Sequence, residues 1–389
     1  MHTAAPASSD PVGGDRVRSF GIVSSFTPTS CGIATFSAAL AAGLIGAGAS
    51  VDVVRCGQKV DPDDVLVVGA LGGSSTDRRR AIDALSRNDL VIVQHEYGLY
   101  DGADGESVVA VIAAIDAPVV VVAHTVLEEP TPNQRRVLEQ VCRGAEAVVV
   151  MTETARTRLL DGYDVDDATV HVISHGAATP LAEPSASQLR RGAPPRLLTW
   201  GLLGPGKGIE WAIDAMAELG DLDPLPEYVV AGTTHPKVRE LHGEAYRHML
   251  ADRAASSTVD IRFDDTYRDL MELTQLIQSA DLVVLPYDSR DQVTSGVLVD
   301  AIAAGRPVVS TAFPHAVELL GSGAGIVVPQ RDPAALADAI RSVLTDPSLA
   351  ASMEAEARRL APSLAWSAVA RLYAELADRV VTSPSAVST

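Results

Sequence analysis

Aromatic residues are scarce in this sequence: Phe, Trp and Tyr fill 4% of its 389 positions. That scarcity, beside an abundance of Ala, Val and Gly, favours tightly packed α/β layers over a β-sandwich. Cysteine is nearly missing. Cys31, Cys56 and Cys142 are odd in number and form no CxxC pair, which argues against a disulfide frame or a cysteine zinc site and for a reducing compartment. Positive charge is in deficit, with 31 Lys and Arg against 50 Asp and Glu and a net charge of −19. A general nucleic-acid surface needs a basic stripe to displace counterions, so no nucleic-acid partner is expected. No apolar run approaches the roughly 18 residues of a membrane span, and MHTAAPASSDPVGGD has no apolar centre like that of a signal peptide. The expectation is a cytoplasmic protein without an integral membrane segment. Peripheral contact at the inner face of the membrane stays open, because a short amphipathic surface fits within the first half of the chain.

What is present is too long for one ordinary core, so two domains of roughly 180 residues each are expected. From Phe20, short apolar runs alternate with helical stretches: FGIVSSF, a helix near Thr35 to Ala47, VDVVR, VLVV, a helix around Arg78 to Leu85, LVIVQ, a helix around Ser107 to Ile115, VVVVAH, a helix from Asn133 to Arg143, AVVVM and VHVIS. That alternation implies right-handed βαβ units, a parallel sheet and helices on both faces. The stretch AATPLAEPSASQLRRGAPP after Gly176 has no apolar period and reads as a linker. A second series follows: RLLTW, a helix from Ile209 to Leu219, YVVAG, a helix near Lys237 to Ala251, IRF, a helix from Leu270 to Ser279, LVVLP, a further helix, PVVST and GIVVP. Three helices close the chain, at Pro333 to Leu344, Leu349 to Leu360 and Trp366 to Val380. The organisation expected is a disordered tail at 1–16, a domain at 17–180, a linker at 181–195, a domain at 196–365, a closing helix at 366–381 and a tail at 382–389. Ligands on such sheets bind beyond the carboxyl ends of strands.

The stretch DLVVLPYDSRDQVTSGVLVDAIAAGRPVVST, from Asp281 to Thr311, reads as strand, polar loop, helix, glycine stop and strand. Thr294 or Ser295 is the expected N-cap and Gly305 the C′ residue. The first-turn N–H groups near Gly296 lack intrahelical partners and lie at the positive dipole end, a setting for a phosphate, with Asp300 one turn inside. A second string, Gly201 to Gly208, follows a strand and precedes a helix. It satisfies GxxxxGK, but Gly208 stands where a magnesium-binding Ser or Thr belongs in a P-loop, and no Walker B strand ends in Asp. Gly206 and Lys207 are therefore read as bringing a backbone amide and a compact ammonium to a ligand diphosphate. In the first half, Gln94-His95-Glu96-Tyr97 follows a strand, and His95, Glu96 and Tyr97 are the candidates for recognising acceptor hydroxyls. His95 and Glu96 point to opposite sides if extended, so at most one faces the cleft. Gly32, before the first helix, is a second place of close approach. With no HExxH and no third ligand at helical spacing, no metal is expected.

The Lys-Gly loop opening the second half, the strand, loop and helix ending in AGRPVVST, CGIATFSAAL after the first strand and VISHGA at the junction resemble the nucleotide-sugar-dependent glycosyltransferases of family 4, often called group 1, over most of residues 20 to 375. The resemblance implies a GT-B fold, two doubly wound Rossmann-like domains facing across a cleft, with the acceptor on the amino-terminal domain, the nucleotide sugar on the carboxy-terminal one and the last helix packing back on the first. It implies that Lys207 contacts the donor diphosphate, that Gly296 and Val297 offer it backbone N–H groups, and that His124 touches the donor sugar. Two family glutamates appear here as Gln292, at the sugar, and Asp300, at the ribose. The family arginine five residues before the lysine appears as Leu202. One ammonium is worth on the order of 4 kcal/mol at an effective dielectric near 20, while enzymes lower barriers by roughly 8–23 kcal/mol. A second cation, Arg290 or Lys237, is therefore expected to join the helix start. The expected activity is retaining transfer of a hexosyl group from a UDP- or GDP-linked sugar to a saccharide or glycolipid hydroxyl. Lys207, His124 and Gln292 would serve catalysis; Gly32, Gly206, Arg290, Thr294, Ser295, Gly296, Val297 and Asp300 would bind the donor, with no cofactor. A non-catalytic nucleotide-sugar binding protein and a GT-B sugar-nucleotide epimerase are the rival readings.

Overall fold

The computed structural model describes residues 17–29, 31–57, 64–179, 194–266 and 268–382. The first domain runs β1 (Ser19–Ser24), α1 (Gly32–Gly46), β2 (Ser50–Arg55), β3 (Val67–Ala70), α2 (Ser75–Leu85), β4 (Leu90–His95), α3 (Ser107–Ile112), β5 (Val119–Ala123), α4 (Pro132–Arg143), β6 (Ala147–Val150), α5 (Glu153–Gly162) and β7 (Val170–Val172). The second runs β8 (Arg196–Trp200), α6 (Ile209–Ala217), β9 (Glu227–Ala231), α7 (Pro236–His242), α8 (Ala245–Ala254), β10 (Asp260–Asp264), α9 (Leu270–Ser279), β11 (Leu282–Leu285), α10 (Gly296–Ala303), β12 (Val308–Thr311), α11 (Pro314–Leu320), β13 (Gly325–Val328), α12 (Pro333–Thr345) and α13 (Pro347–Leu364), and the chain closes with α14 (Trp366–Thr382).

The two sheets are parallel throughout, in the orders β3-β2-β1-β4-β5-β6-β7 and β10-β9-β8-β11-β12-β13. Each grows one way from its first strand and then reverses, between β1 and β4 and between β8 and β11. Such a reversal sends consecutive crossovers to opposite faces and opens a crevice at the strands' carboxyl ends. It places the glycine loop after β8 beside the loop after β11, although 85 positions separate Trp200 from Leu285. The strands read as apolar runs because helices cover both faces: all four residues of β11 and all six of β4 are buried.

The closing helix returns to the first domain. Val369, Ala370, Tyr373, Leu376 and Ala377 of α14 share a core with Phe36, Leu40 and Leu44 of α1. The approach is close enough that a Cβ on Gly43 would lie 2.7 Å from the Ala370 Cβ. At the crossover, Ala177 N–H donates to the Leu364 carbonyl at 2.7 Å and Trp366 N–H to the Ala177 carbonyl at 3.1 Å.

Three details differ from the sequence reading. The single helix expected from Lys237 to Ala251 is two, α7 and α8, because Gly243 adopts φ 60° and turns the chain. Helix α5 carried no signal, since ETARTRLLDG buries only Ala155 and Leu159. The seven-residue α11 is too short for an apolar period. The tail at 1–16, nearly all of the linker and residues 383–389 lie outside the described residues.

Candidate functional site

The glycine loop after β8 is shaped by backbone that glycine alone adopts easily, with φ of 123° at Gly201, 86° at Gly206 and 64° at Gly208. A Cβ on Gly208 would lie 1.8 Å from the Pro286 carbonyl oxygen, so the Ser or Thr of a P-loop is sterically excluded there. Asp281 is spent on structure as well, accepting from the Arg196 N–H at 2.7 Å. The Asp288 N–H donates to the Gly206 carbonyl at 2.9 Å and ties this loop to the one after β11. Between them the Lys207 Nζ sits 4.3 Å above the centroid of the Tyr287 ring. No carboxylate pairs with Lys207 among the described residues. Burial lowers its pKa, and the aromatic face offsets part of that desolvation. An ammonium so placed is available to an incoming anion.

The start of α10 meets the same crevice. Ser295 is the N-cap, its Oγ accepting from the Leu298 N–H at 3.3 Å. Its own N–H donates to His315 Nδ1 at 2.8 Å, which leaves the proton of a neutral imidazole on Nε2. Tyr287, beneath Lys207, packs in one core cluster with Leu298 and Val299 of α10, and a Cβ on Gly201 would touch the Val297 side chain at 3.6 Å. Lys207, Gly206, Ser295, Gly296 and Val297 are thus brought together through Tyr287. The space beside Gly296 has a different tenant from the one expected. A Cβ there would lie 2.9 Å from Cε1 and Nε2 of His175, so the glycine makes room for an imidazole from the first domain. Thr294 Oγ1 is buried without a partner.

Asp300 faces α9. It lines a small cavity of about 10 Å³ with Leu270, Leu273, Thr274 and Ile277, and burial alone raises its pKa to about 7. Gln292 is turned onto its own loop, donating from Nε2 to the Thr294 carbonyl. Arg290 is exposed, and its carbonyl accepts from Arg158 Nη2 at 2.8 Å. Lys237 reaches across to the first domain, its Nζ lying 2.6 Å from where a Gly98 Cβ would stand and within electrostatic range of Glu96. Burial first, then the nearby Lys237 and Lys207 charges, lower the pKa of His235.

On the opposite wall, His124 Nε2 lies 2.6 Å from Gln94 Oε1, with its ring 4.9 Å edge-on from Phe36. Burial, then His175 and His95, push its pKa down to about 3; His124 is neutral at pH 7 and donates from Nε2 to Gln94. Glu96 is half-buried, accepts from Thr125 Oγ1 and from the Tyr97 N–H at 3.0 Å, and has its pKa raised by burial. Tyr97 packs against the cluster that contains Val293 of the second domain. Gly32 begins α1 with nothing within 4 Å of an added Cβ, after Cys31, whose Sγ accepts from the Ala34 N–H at 3.3 Å.

His95 is a correction. It ends β4 at 1% exposure, both ring nitrogens lack partners, and burial takes its pKa to about 4. Alternation along the strand sends it inward while Glu96 faces the cleft. Tyr287 and His315 are contacts of the site that the sequence reading does not name. Each stands within four residues after a strand, which was the available signal. Among the described residues no group of three or more His, Cys, Asp or Glu is gathered at a metal-binding spacing, and no helix is long and apolar enough to cross a membrane.

Comparison with known proteins bears on this geometry. Residues 31–179 match the family model described as Glycosyltransferase Family 4, and residues 194–346 the one described as Glycosyl transferases group 1. A D-inositol 3-phosphate glycosyltransferase of Corynebacterium efficiens is 28% identical over 68% of this chain and 66% of its own length. One from Kineococcus radiotolerans is 30% identical over 65% of this chain and 62% of its own. The chain thus spans slightly less than two thirds of the length of these two relatives. Among solved structures, Anabaena Alr3699/HepE in complex with UDP and glucose superposes with a TM-score of 0.72 at 17% identity, over 92% of this chain and 99% of that one, a likeness of fold.

Proposed function

Because the chain belongs to the group 1, family 4 glycosyltransferases with the GT-B fold, we propose that it transfers a hexosyl group from a UDP- or GDP-linked sugar to an acceptor hydroxyl, with retention and without a metal. The observation that carries this reading is the Lys207 ammonium, without a carboxylate partner among the described residues, held over Tyr287 beside the first turn of α10. The diphosphate would lie between that ammonium and the amides of Gly296 and Val297. Asp300 would accept from the ribose hydroxyls, and Gln292 and His124 would bond the sugar.

In the reaction the acceptor oxygen forms its bond to the anomeric carbon as the bond from that carbon to the phosphate oxygen breaks. The acceptor proton passes to the leaving phosphate on the same face. Lys207 and the amides carry the charge that grows there, and Lys237 is the second cation, because its ammonium extends from the second domain to Gly98 of the first, whereas Arg290 stands exposed. The acceptor would lie on the domain at 17–180, near Glu96, Tyr97 and Gly32, and the donor on the domain at 196–365. The names of these relatives make D-inositol 3-phosphate one acceptor to try, beside saccharides and glycolipids. The proposed location is the cytoplasm, with or without contact at the inner membrane face.

Thermal-shift measurements with UDP, GDP, ADP and their sugars test the donor, since a selective ligand raises stability with its concentration over Kd. Product analysis with and without acceptor, and with EDTA, then tests the chemistry. Nucleoside diphosphate released with a new glycoside, undiminished by EDTA, is the expected result. Binding without release would leave a binding protein, and conversion of the donor without any acceptor would leave an epimerase.

A further inference from the structure

The loop from Asp288 to Thr294 carries Gln292 and leads into α10, yet much of what holds it comes from the other domain. Val293 is 1% exposed and packs with Ala123, Val126, Leu138 and Leu159 of the first domain. Its carbonyl accepts from Thr152 Oγ1, at the N-cap of α5, at 3.1 Å. Further along α5, Arg158 Nη2 donates to the Arg290 carbonyl at 2.8 Å, and its Nη1 lies 3.6 Å from Asp291 Oδ1. That carboxylate oxygen also accepts from the Glu128 N–H at 3.1 Å. The Arg158 side chain is only 16% exposed, so its charge is partly desolvated and its bonds are stronger than those of a solvated pair. Helix α5 is in turn fastened by the second domain. Glu318 of α11 spans its first turn, Oε1 accepting from the Glu153 N–H at 2.9 Å, and Oε2 from the Thr154 N–H at 2.9 Å and Thr154 Oγ1 at 2.8 Å. A carboxylate on first-turn N–H groups matches both their unmet bonds and the positive end of the helix.

We infer that α5 sets the shape of the donor loop, with Arg158 and Thr152 as positioning residues and Glu318 as the anchor. Its catalytic consequence rests on the transferase reading, but its structural content does not. Ordering a loop costs backbone entropy, and here bonds that exist only while the two domains are together offset that cost. Parting the domains leaves the segment around Gln292 without its fixed form. The donor is then gripped for transfer only when the acceptor side is in place, which limits loss of the sugar to water.

Hydrogen–deuterium exchange on the full chain, without ligand, tests this. Arg158→Met is expected to raise exchange at 289–294 about tenfold or more, the effect of losing charged hydrogen bonds, and Arg158→Lys to restore part of the protection. Glu318→Gln raises exchange at 153–155 and at 289–294 together, while β11 and β12 stay protected. Unchanged exchange at 289–294, or an equal rise everywhere, overturns the inference. Should Arg158→Met not fold, Thr152→Val against Thr152→Ser makes the same comparison at the Val293 carbonyl. In a kinetic arm with UDP-glucose as probe, Arg158→Met raises the donor KM more than the acceptor KM, and Arg158→Lys recovers it. If the wild type does not turn over UDP-glucose, the activity reading for that donor fails, while the exchange result still decides the role of α5.

Discussion

At the scale of single residues, charge placement decides what the crevice does. Lys207 has no carboxylate partner among the described residues and stands over an aromatic face, so its removal costs little folding energy, within about 1 kcal/mol. In the proposed reaction its loss deprives a growing phosphate charge of its nearest counter-charge. Lys207→Ala is therefore expected to lower kcat about 100- to 1,000-fold with an unchanged melting curve; equal turnover in a stopped assay would remove it from the mechanism. Asp300 makes a pH-dependent prediction. Burial raises its folded pKa from the usual carboxylate range to about 7, so the folded state holds the proton more tightly than the unfolded one. Stability from this group is complete below about pH 4, is lost as pH rises towards 7 and stays lost above it. Urea titrations across that range should show Asp300→Asn gaining on the wild type at pH 8, by at most about 4 kcal/mol and less where water reaches the carboxyl. In the proposed donor complex ribose hydroxyls favour the ionised form, so UDP affinity of the wild type is expected to fall below pH 7 and Asp300→Asn to bind more weakly at pH 8. The residue types at Lys207, Gly296 and Asp300 were legible because each follows a strand in a recognisable spacing. The inward turn of His95, the side-chain bond of Gln292 and the imidazole beside Gly296 were not, because they depend on which distant groups share the space.

At the scale of elements, tight approach and short turns govern what can be substituted. Gly208 holds a positive φ with the Pro286 carbonyl where a side chain would stand. Gly208→Ser is expected to destabilise the second domain by about 3 kcal/mol or more, read as a lowered urea midpoint. Gly32→Ala, with open space around it, should move that midpoint by less than about 0.5 kcal/mol. The strands and most helices were readable in the sequence because parallel strands covered on both faces give unbroken apolar runs such as LVVL and VVVV. Helices α5 and α11 were not, since one buries only two residues and the other is too short to repeat. The strand order is written in no local pattern; it follows from which crossovers reverse, and that reversal brings the Gly208 loop to Pro286.

At the scale of the whole molecule, the domains are not independent halves. Helix α14 completes the core around Phe36, Leu40 and Leu44, and the clasp of Glu318 on α5 joins the halves a second time. Calorimetry of the full chain is expected to show one main transition. Removal of 366–382 should leave the first domain molten or aggregated while the second keeps its cooperative unfolding; a stable first domain in that truncation would contradict the packing. The return of α14 also sets a timetable for biosynthesis. Domains commonly acquire structure in the order they leave the ribosome. Here the first domain must wait for α14 to emerge, and the second domain, translated between the two, is free to finish before it.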